Sequence, residues 1–340
     1  MYLATIFSGI GVAEMAHRKV FGYNGTIFAC EIDKFARLSY EANAGNHQNA
    51  PFYEDVRTLD ATRYRGQIGI LVGGSPCQDF SIAGERAGTQ GDRGNLIWQY
   101  YRIVKECRPE VFVFENVKGF LSIEKGRAYV NFLNALRDLG YHCHAEILNT
   151  KDYGIPQNRE RLYIVGFLDA DRYFSFRFAP KQPLKLTLGD MLETSVDEKY
   201  FLSERAIRCF KKKDNNFQGR FSPKNPNDTA NCLTTAAGNR RTDTFIIQRA
   251  RGFNKGGEFE LCPTISSNSF AQNNPLCGER IRKLTPRECL RLQGIGDDFK
   301  IVVSDTQIYK QAGNAMSQNV VEMILGQIAG LKMKNFKLGA

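Results

Sequence analysis

No apolar run in the chain approaches the roughly 18 residues that a membrane-spanning helix needs, so no spanning helix and no membrane association is expected. The N-terminus, Met1-Tyr2-Leu3-Ala4-Thr5-Ile6-Phe7-Ser8-Gly9, has no basic segment and no small-residue cleavage site. It reads as the start of a first strand rather than as a signal peptide. No Cys-x-x-Cys pair occurs, which argues against a structural zinc site. The 9 cysteines are odd in number and irregularly spaced, so a disulfide framework is not expected and the cytoplasm is the natural compartment. His142-Cys143-His144 is the one compact group of metal-ligand types, and alternation along a strand makes it read as ordinary strand sequence. No metal is expected. A Gly-Lys-Ser/Thr phosphate loop is missing, and no tandem repeat covers the chain.

What is present is a globular composition. The 340 residues are 42% hydrophobic and 24% charged, enough for one large domain or two ordinary ones. The net charge is +10, which points to an acidic partner, with nucleic acid the leading candidate. The distribution strengthens this. Between Phe201 and Lys255 there are 12 Lys and Arg against 4 Asp and Glu.

The first half alternates strand-like and helical stretches. Strands are expected at Leu3 to Phe7, Thr26 to Cys30, Ile68 to Val72, Val111 to Phe114 and Leu162 to Phe167. Helices are expected over Val12 to Val20, Asp33 to Ala44 and Val130 to Leu139. This alternation predicts a mostly parallel α/β sheet covered on both faces. Near Ala179-Pro180 the pattern changes, and to about Cys277 the sequence is polar and basic with poor helical periodicity. A second, smaller domain of short strands and long loops is expected there. Leu284-Thr285-Pro286-Arg287-Glu288 opens a helix with Pro at its first position, and a last helix runs from about Ser317 to Leu331.

Ile6-Phe7-Ser8-Gly9-Ile10-Gly11-Val12-Ala13-Glu14 is a strand, a glycine turn and a helix start. Glu14 breaks the Gly-x-Gly-x-x-Gly dinucleotide fingerprint. Glu31 follows the second strand, where an acid can bind ribose hydroxyls, and Glu54-Asp55-Val56 is placed to read an adenine edge. Singly these are ordinary turn chemistry; together they suggest an adenosine ligand without a polyphosphate. Gly73-Gly74-Ser75-Pro76-Cys77-Gln78 puts Cys77 at the carboxyl edge of the sheet, either as a small buried hydrophobe or as a reactive group. The glycine-punctuated stretch after it, with Arg86 and Arg93, looks like a mobile basic lid. Glu115 ends another buried strand, where partial desolvation raises an acid's pKa; capping a helix is its other reading. Arg159 and Arg161, two apart, put both guanidinium groups on one face.

With these motifs the chain resembles the DNA (cytosine-5)-methyltransferases in their compact bacterial form. Phe-Ser-Gly-Ile-Gly is similar to the family's cofactor motif, and Gly-Ser-Pro-Cys-Gln to its nucleophile motif at Cys77. Glu115-Asn116-Val117 resembles its Glu-Asn-Val motif, and Gln157-Asn158-Arg159-Glu160-Arg161 its Gln-x-Arg-x-Arg motif. Arg282 to Cys289 resembles the motif that organises the target-recognition domain, and Gln311-Ala312-Gly313-Asn314-Ala315 the final cofactor motif. The six occur in family order from Phe7 to about Val320.

The resemblance implies a Rossmann-like S-adenosylmethionine-dependent methyltransferase domain, 1–179 with 302–340, and a smaller, mostly β and loop target-recognition domain, 180–301. It implies cofactor contacts at Phe7, Gly9, Gly11, Glu31, Ile32, Asp55, Pro76, Leu96 and Asn314. This chain has Thr5, Ile32 and Ala315 where the family often has Asp, Trp and Ser. It implies that Cys77 attacks C6 of a flipped-out cytosine, that Glu115 handles the N3 proton, and that Arg161, with Arg159 nearby, holds O2. Arg86, Arg93, Arg240, Arg241 and Thr234 are the expected DNA contacts. Cys232-Leu233-Thr234-Thr235 and Cys262-Pro263-Thr264-Ile265 both resemble the Thr-Leu element of such domains. The expected partners are double-stranded DNA and a cognate restriction endonuclease, in a restriction-modification setting, with the enzyme a monomer. The alternatives are a tRNA cytosine-5 methyltransferase and a catalytically silent DNA-binding relative.

Overall fold

The computed structural model describes residues 1–44, 50–76, 96–211, 222–235, 243–248 and 280–336. The first half builds β1 (Leu3–Ile6), α1 (Val12–Phe21), β2 (Thr26–Cys30), α2 (Lys34–Asn43), β3 (Phe52–Tyr53) and β4 (Ile70–Gly73). Then come α3 (Leu96–Cys107), β5 (Val111–Val117), α4 (Arg127–Asp138), β6 (His142–Asn149), β7 (Glu160–Phe167) and α5 (Ala170–Ser175). The seven strands form one sheet in the order β3-β2-β1-β4-β5-β7-β6. Its first five strands pair in parallel, and β7 runs antiparallel to both of its neighbours.

Side-chain alternation along the buried strands divides the core in two. Leu3, Ile70, Val72, Val111 and Val113 point to one face, with α1 and the C-terminal helix. Ala4, Ile6, Leu71, Phe112 and Phe114 point to the other, where α3 and α4 supply Tyr100, Ile103 and Phe132. The sheet is thus covered on both faces, as the sequence predicts. Strand order reverses between β1 and β4, and in such sheets the crevice outside the carboxyl ends is the ligand site.

The second half holds α6 (Leu188–Met191), α7 (Glu204–Lys211), β8 (Phe245–Gln248), β9 (Arg280–Lys283), α8 (Pro286–Leu292), α9 (Asp305–Asn314) and α10 (Gln318–Phe336). β8 and β9 form a separate antiparallel pair. Ala230, Leu233, Ile246 and Leu284 join the core cluster shared with α1 and α10. The Thr285-x-x-Glu288 signal acts as a capping box: the Thr285 hydroxyl accepts from the Glu288 N–H, and Glu288 Oε2 accepts from the Thr285 N–H. Glu288 also forms a two-pronged ion pair with Arg282, both bonds 2.7 Å.

Several boundaries differ from the sequence reading. β4 begins at Ile70 rather than Ile68, and β5 continues to Val117. The two-residue β3 and the polar helix α9 lie in stretches with no apolar run to announce them. α6 and α7 are helices inside the region expected to hold strands and loops. His142, Cys143 and His144 do lie on a strand, with His144 Nε2 2.9 Å from the Tyr173 carbonyl. No described helix is long and apolar enough to cross a membrane.

Candidate active site

Of the expected cofactor residues, Phe7, Gly9, Gly11, Glu31, Ile32, Asp55 and Pro76 follow the carboxyl ends of β1 to β4, while Leu96 and Asn314 lie on α3 and α9. Phe7 takes a left-handed conformation, φ 55°, rare for a side chain of its size and typical of a strained functional turn. It lets the chain leave β1 so that the Gly9 N–H donates to Glu31 Oε2 at 2.8 Å. The Asp33 N–H donates to Glu31 Oε1, also at 2.8 Å. Burial pushes the Glu31 pKa up, and these two donors oppose it. Ile32, 62% exposed, offers a bare apolar face beside that acid. A side chain added at Gly9 would meet open space, so the turn borders a vacant approach to the sheet edge. An acid with fixed orientation, an open turn and an exposed apolar residue fit an adenosine group.

Asp55 stands after β3, but its carboxylate is held from both oxygens by Arg57, with Nε at 2.9 Å from Oδ1 and Nη2 at 2.6 Å from Oδ2. Arg57 holds the Asp55 carboxyl below its ordinary pKa. Sequence reading missed Arg57, although its spacing of two from Asp55 was visible. Pro76 is exposed at the end of the β4 loop, and Leu96 begins α3 half-buried against the second core cluster. Asn314 ends α9, which is tied to α2 by Ser39 to Gln311, 2.9 Å, and by Lys310 to Asp33, 2.5 Å.

Beyond β4 the backbone passes close to Glu115. A Cβ on Gly74 would come within 2.7 Å of Glu115 Oε2, so only glycine lets this loop lie on the acid. Asn116 holds the same loop, donating from Nδ2 to the Ser75 carbonyl and hydroxyl at 3.3 and 3.2 Å. Glu115, 12% exposed, pairs with Arg161 Nε at 3.2 Å. Burial raises the Glu115 pKa; Arg161 and then Arg159 pull it back without cancelling the rise. The acid is thereby poised to hold a proton beside a fixed cation.

Arg159 and Arg161 both reach Cys232 Sγ, at 3.4 and 3.7 Å, as residues two apart should. Their other bonds differ. Arg159 is buried and donates to the carbonyls of Leu233, Gly313 and Ala315 at 3.3, 3.1 and 2.8 Å. It fastens chain segments together, while Arg161 faces Glu115. The segment carrying Cys232 is threaded through the centre. Ala230 bonds to Pro156 and Asn158, and the Leu233 N–H donates to Gln157 Oε1. A Cβ on Gly313 would fall 2.5 Å from the Thr234–Thr235 peptide, so α9 also seats this segment. Thr234, expected at DNA, donates its hydroxyl to Asp243 Oδ1 at 2.9 Å. Cys232-Leu233-Thr234-Thr235 therefore abuts the site. Cys262-Pro263-Thr264-Ile265 lies outside the described residues, as do Cys77, Arg86, Arg93, Arg240 and Arg241.

Fold and site together define a Rossmann-like α/β protein with a mostly buried acid and arginine at the sheet edge. Among solved structures, the fission yeast (S. pombe) Dnmt2 methyltransferase matches in fold with a TM-score of 0.70 at 20% identity, covering 99% of both chains. The family model for C-5 cytosine-specific DNA methylases matches residues 1–330. The chain is 33% identical over 337 residues to the Type II methyltransferase M.Bsp6I of Bacillus sp. (strain RFL6), covering 96% of this chain and 98% of that protein. It is 36% identical over 329 residues to the Type II methyltransferase M.HpaII of Haemophilus parainfluenzae, covering 93% and 86%. The chain belongs to the C-5 cytosine-specific DNA methylase family, and its enzyme class is DNA (cytosine-5)-methyltransferase.

Proposed function

We propose that this enzyme methylates C5 of a cytosine flipped out of a specific duplex sequence, using S-adenosylmethionine and a covalent bond from Cys77 to C6, in a restriction-modification setting. The observation that carries the reading is the Glu115–Arg161 pair, mostly buried and lying against the backbone at Gly74, three residues before Cys77 in sequence. Similarity to Type II methyltransferases supports the restriction-modification setting. Residues 1–179 with 302–340 form the catalytic part in this reading, and 180–301 the target-recognition part.

Phe7, Gly9, Glu31, Ile32 and Asn314 hold the cofactor, which when bound supplies the electrophilic methyl that C5 takes up. Cys77 Sγ, as thiolate, adds to C6 and pushes the ring electrons toward C5 and N3. Glu115 gives its proton to N3 as negative charge develops there. Arg161 holds O2 and stabilises the same charge, in a setting that excludes most water. After methylation, water removes the C5 proton, the C6–S bond breaks to restore Cys77, and N3 returns its proton to Glu115. Flipping costs a few kcal/mol, offset by phosphate contacts from the basic segment.

The test is duplex DNA carrying 5-fluorocytosine at the target position. The last step must then remove fluorine as a cation, which no base can do, so the adduct should survive a denaturing gel. Trapping should require S-adenosylmethionine, and peptide mapping should place the link on Cys77. Preferential trapping of fluorinated tRNA would make RNA the substrate. A lack of adduct on DNA whose unmodified form is methylated would remove Cys77 from the mechanism.

A further inference from the structure

One buried acid at the cofactor turn has no part in the steps above. Glu14, in the first turn of α1, is 2% exposed. Its Oε1 shares a 2.5 Å hydrogen bond with the Thr5 hydroxyl and accepts another, 2.9 Å, from the Tyr40 hydroxyl. Its Oε2 is buried with no partner among the described residues. From Thr5 the contacts continue to Ser8 Oγ at 2.7 Å. Ser8 Oγ in turn donates to the Cys30 carbonyl and accepts from the Cys30 N–H, both at 3.1 Å.

Counting protons gives this chain a direction. With Glu14 ionised, Thr5 donates a hydrogen bond to it, and Ser8 must divide its single O–H between Thr5 and the Cys30 carbonyl. A carboxylate would also be buried with one bare oxygen and no cation nearby, which is strongly unfavourable. With the proton on Glu14 Oε1, each group donates once, head to tail, from Glu14 to Thr5 to Ser8 to Cys30. Bonds in such a chain polarise and strengthen one another. Burial pushes the Glu14 pKa up in the same sense. Tyr40, the titratable group that faces it, is likewise held in its neutral form by burial.

We propose that Glu14 is a positioning residue for S-adenosylmethionine, its carboxylic acid heading a hydrogen-bond chain that clamps the Phe7–Gly9 turn to the end of β2. The inference rests on the cofactor reading above. The clamp acts where the turn most needs it. Ser8 sits between strained Phe7 and Gly9, whose N–H orients Glu31. Cys30, at the far end of the chain, directly precedes Glu31. Gly11, φ 85°, seats the same turn on α2: a Cβ there would come within 2.4 Å of Ala44 and 3.1 Å of Tyr40.

The experiment is calorimetric titration of the whole chain with S-adenosylmethionine. Glu14→Ala should weaken binding about tenfold or more, the scale of losing a buried hydrogen-bonded acid. Glu14→Gln, with its amide nitrogen at the place of Oε1, keeps a donor for Thr5 and offers its second N–H to the Tyr40 hydroxyl oxygen, and should stay within about threefold of wild type. The loss in Glu14→Ala should appear in the KM for the cofactor and not in that for DNA. Ser8→Ala breaks the chain at its far end, so it should weaken binding alone and add little to Glu14→Ala. Wild-type affinity in Glu14→Ala, or equal damage from Gln and Ala, overturns the clamp. Should Glu14→Ala not fold, unchanged affinity in Ser8→Ala overturns it equally. A wild-type chain with no saturable binding overturns the cofactor reading, and the clamp with it.

Discussion

Glu115, mostly buried, and Arg159, fully buried, are both charged types with different roles. Burial raises the Glu115 pKa and its neighbour Arg161 restrains the rise, the balance that suits a group passing a proton to and from a ring nitrogen. Glu115→Gln should lower kcat by about 10²–10⁴-fold, with the thermal midpoint almost unmoved. Near wild-type turnover at saturating DNA would assign the proton to another group. Arg159 answers to structure instead. Its guanidinium binds three carbonyls from two separate segments, which a lysine ammonium at the same place does not span. Arg159→Lys should therefore lose about 2–4 kcal/mol in denaturant unfolding. A loss below about 0.5 kcal/mol would mean that these contacts carry no net stability. The sequence shows two arginines in one motif; it does not show that one faces the acid and the other faces backbone carbonyls, because those carbonyls come from positions 233, 313 and 315.

Elements were legible in proportion to how much apolar surface they bury. β2 is found as read, Thr26 to Cys30, and the Thr285-Pro286-x-Glu288 signal marks the start of α8. α9, Asp305–Asn314, is mostly polar; its buried apolar face is only Ile308, Tyr309 and Ala312, too short a stripe to announce it. Nor does the sequence show that α1 is tied to the start of β1 through His17. That ring stacks on Phe21 at 4.6 Å, and its Nε2 lies 2.7 Å from the Met1 carbonyl. Burial lowers the His17 pKa, and the Met1 carbonyl only partly offsets this. The unfolded chain then takes up a proton below about pH 6.5 more readily than the folded one. This contribution is complete above about 6.5 and is lost as pH falls toward the folded pKa, with a slope of at most about 1.4 kcal/mol per pH unit. Denaturant unfolding between pH 7.5 and 5.5 should show a smaller acid loss in His17→Gln than in wild type. Equal losses would put the proton uptake elsewhere.

At the scale of the whole molecule, the sheet sets the motifs at the ends of β1, β4 and β5 beside one crevice, and the proposed DNA affinity is assigned to charge elsewhere in the chain. The order of motifs made the class legible: three of them lie at the carboxyl ends of β1, β4 and β5, while Gln157 to Arg161 opens β7, Arg282 to Cys289 joins β9 to α8, and Gln311 to Ala315 ends α9. The base-reading surface was not legible, because its side chains answer to a DNA sequence and to no rule of packing. The charge, however, has a consequence that needs no knowledge of the site. The chain carries a net +10, and the stretch from Phe201 to Lys255 contributes 12 basic against 4 acidic residues. Among the described residues of that stretch, Arg208 pairs with Glu204 at 3.8 Å on a solvated helix face. Such a pair contributes about 0–1 kcal/mol and leaves the arginine available. If half of the local excess meets phosphates, about four counterions are released, each adding about −0.9 to the slope of log affinity against log salt. Raising salt from about 50 to 200 mM should then weaken DNA binding about a hundredfold, equally for specific and unrelated duplexes. Replacing Arg205 and Arg208 with Gln should flatten the slope by about one to two units if both reach the backbone, while discrimination between sequences stays as it was. A titration by fluorescence anisotropy that is flat in salt, or a double variant that loses discrimination and keeps the slope, would move the phosphate-binding face away from this segment.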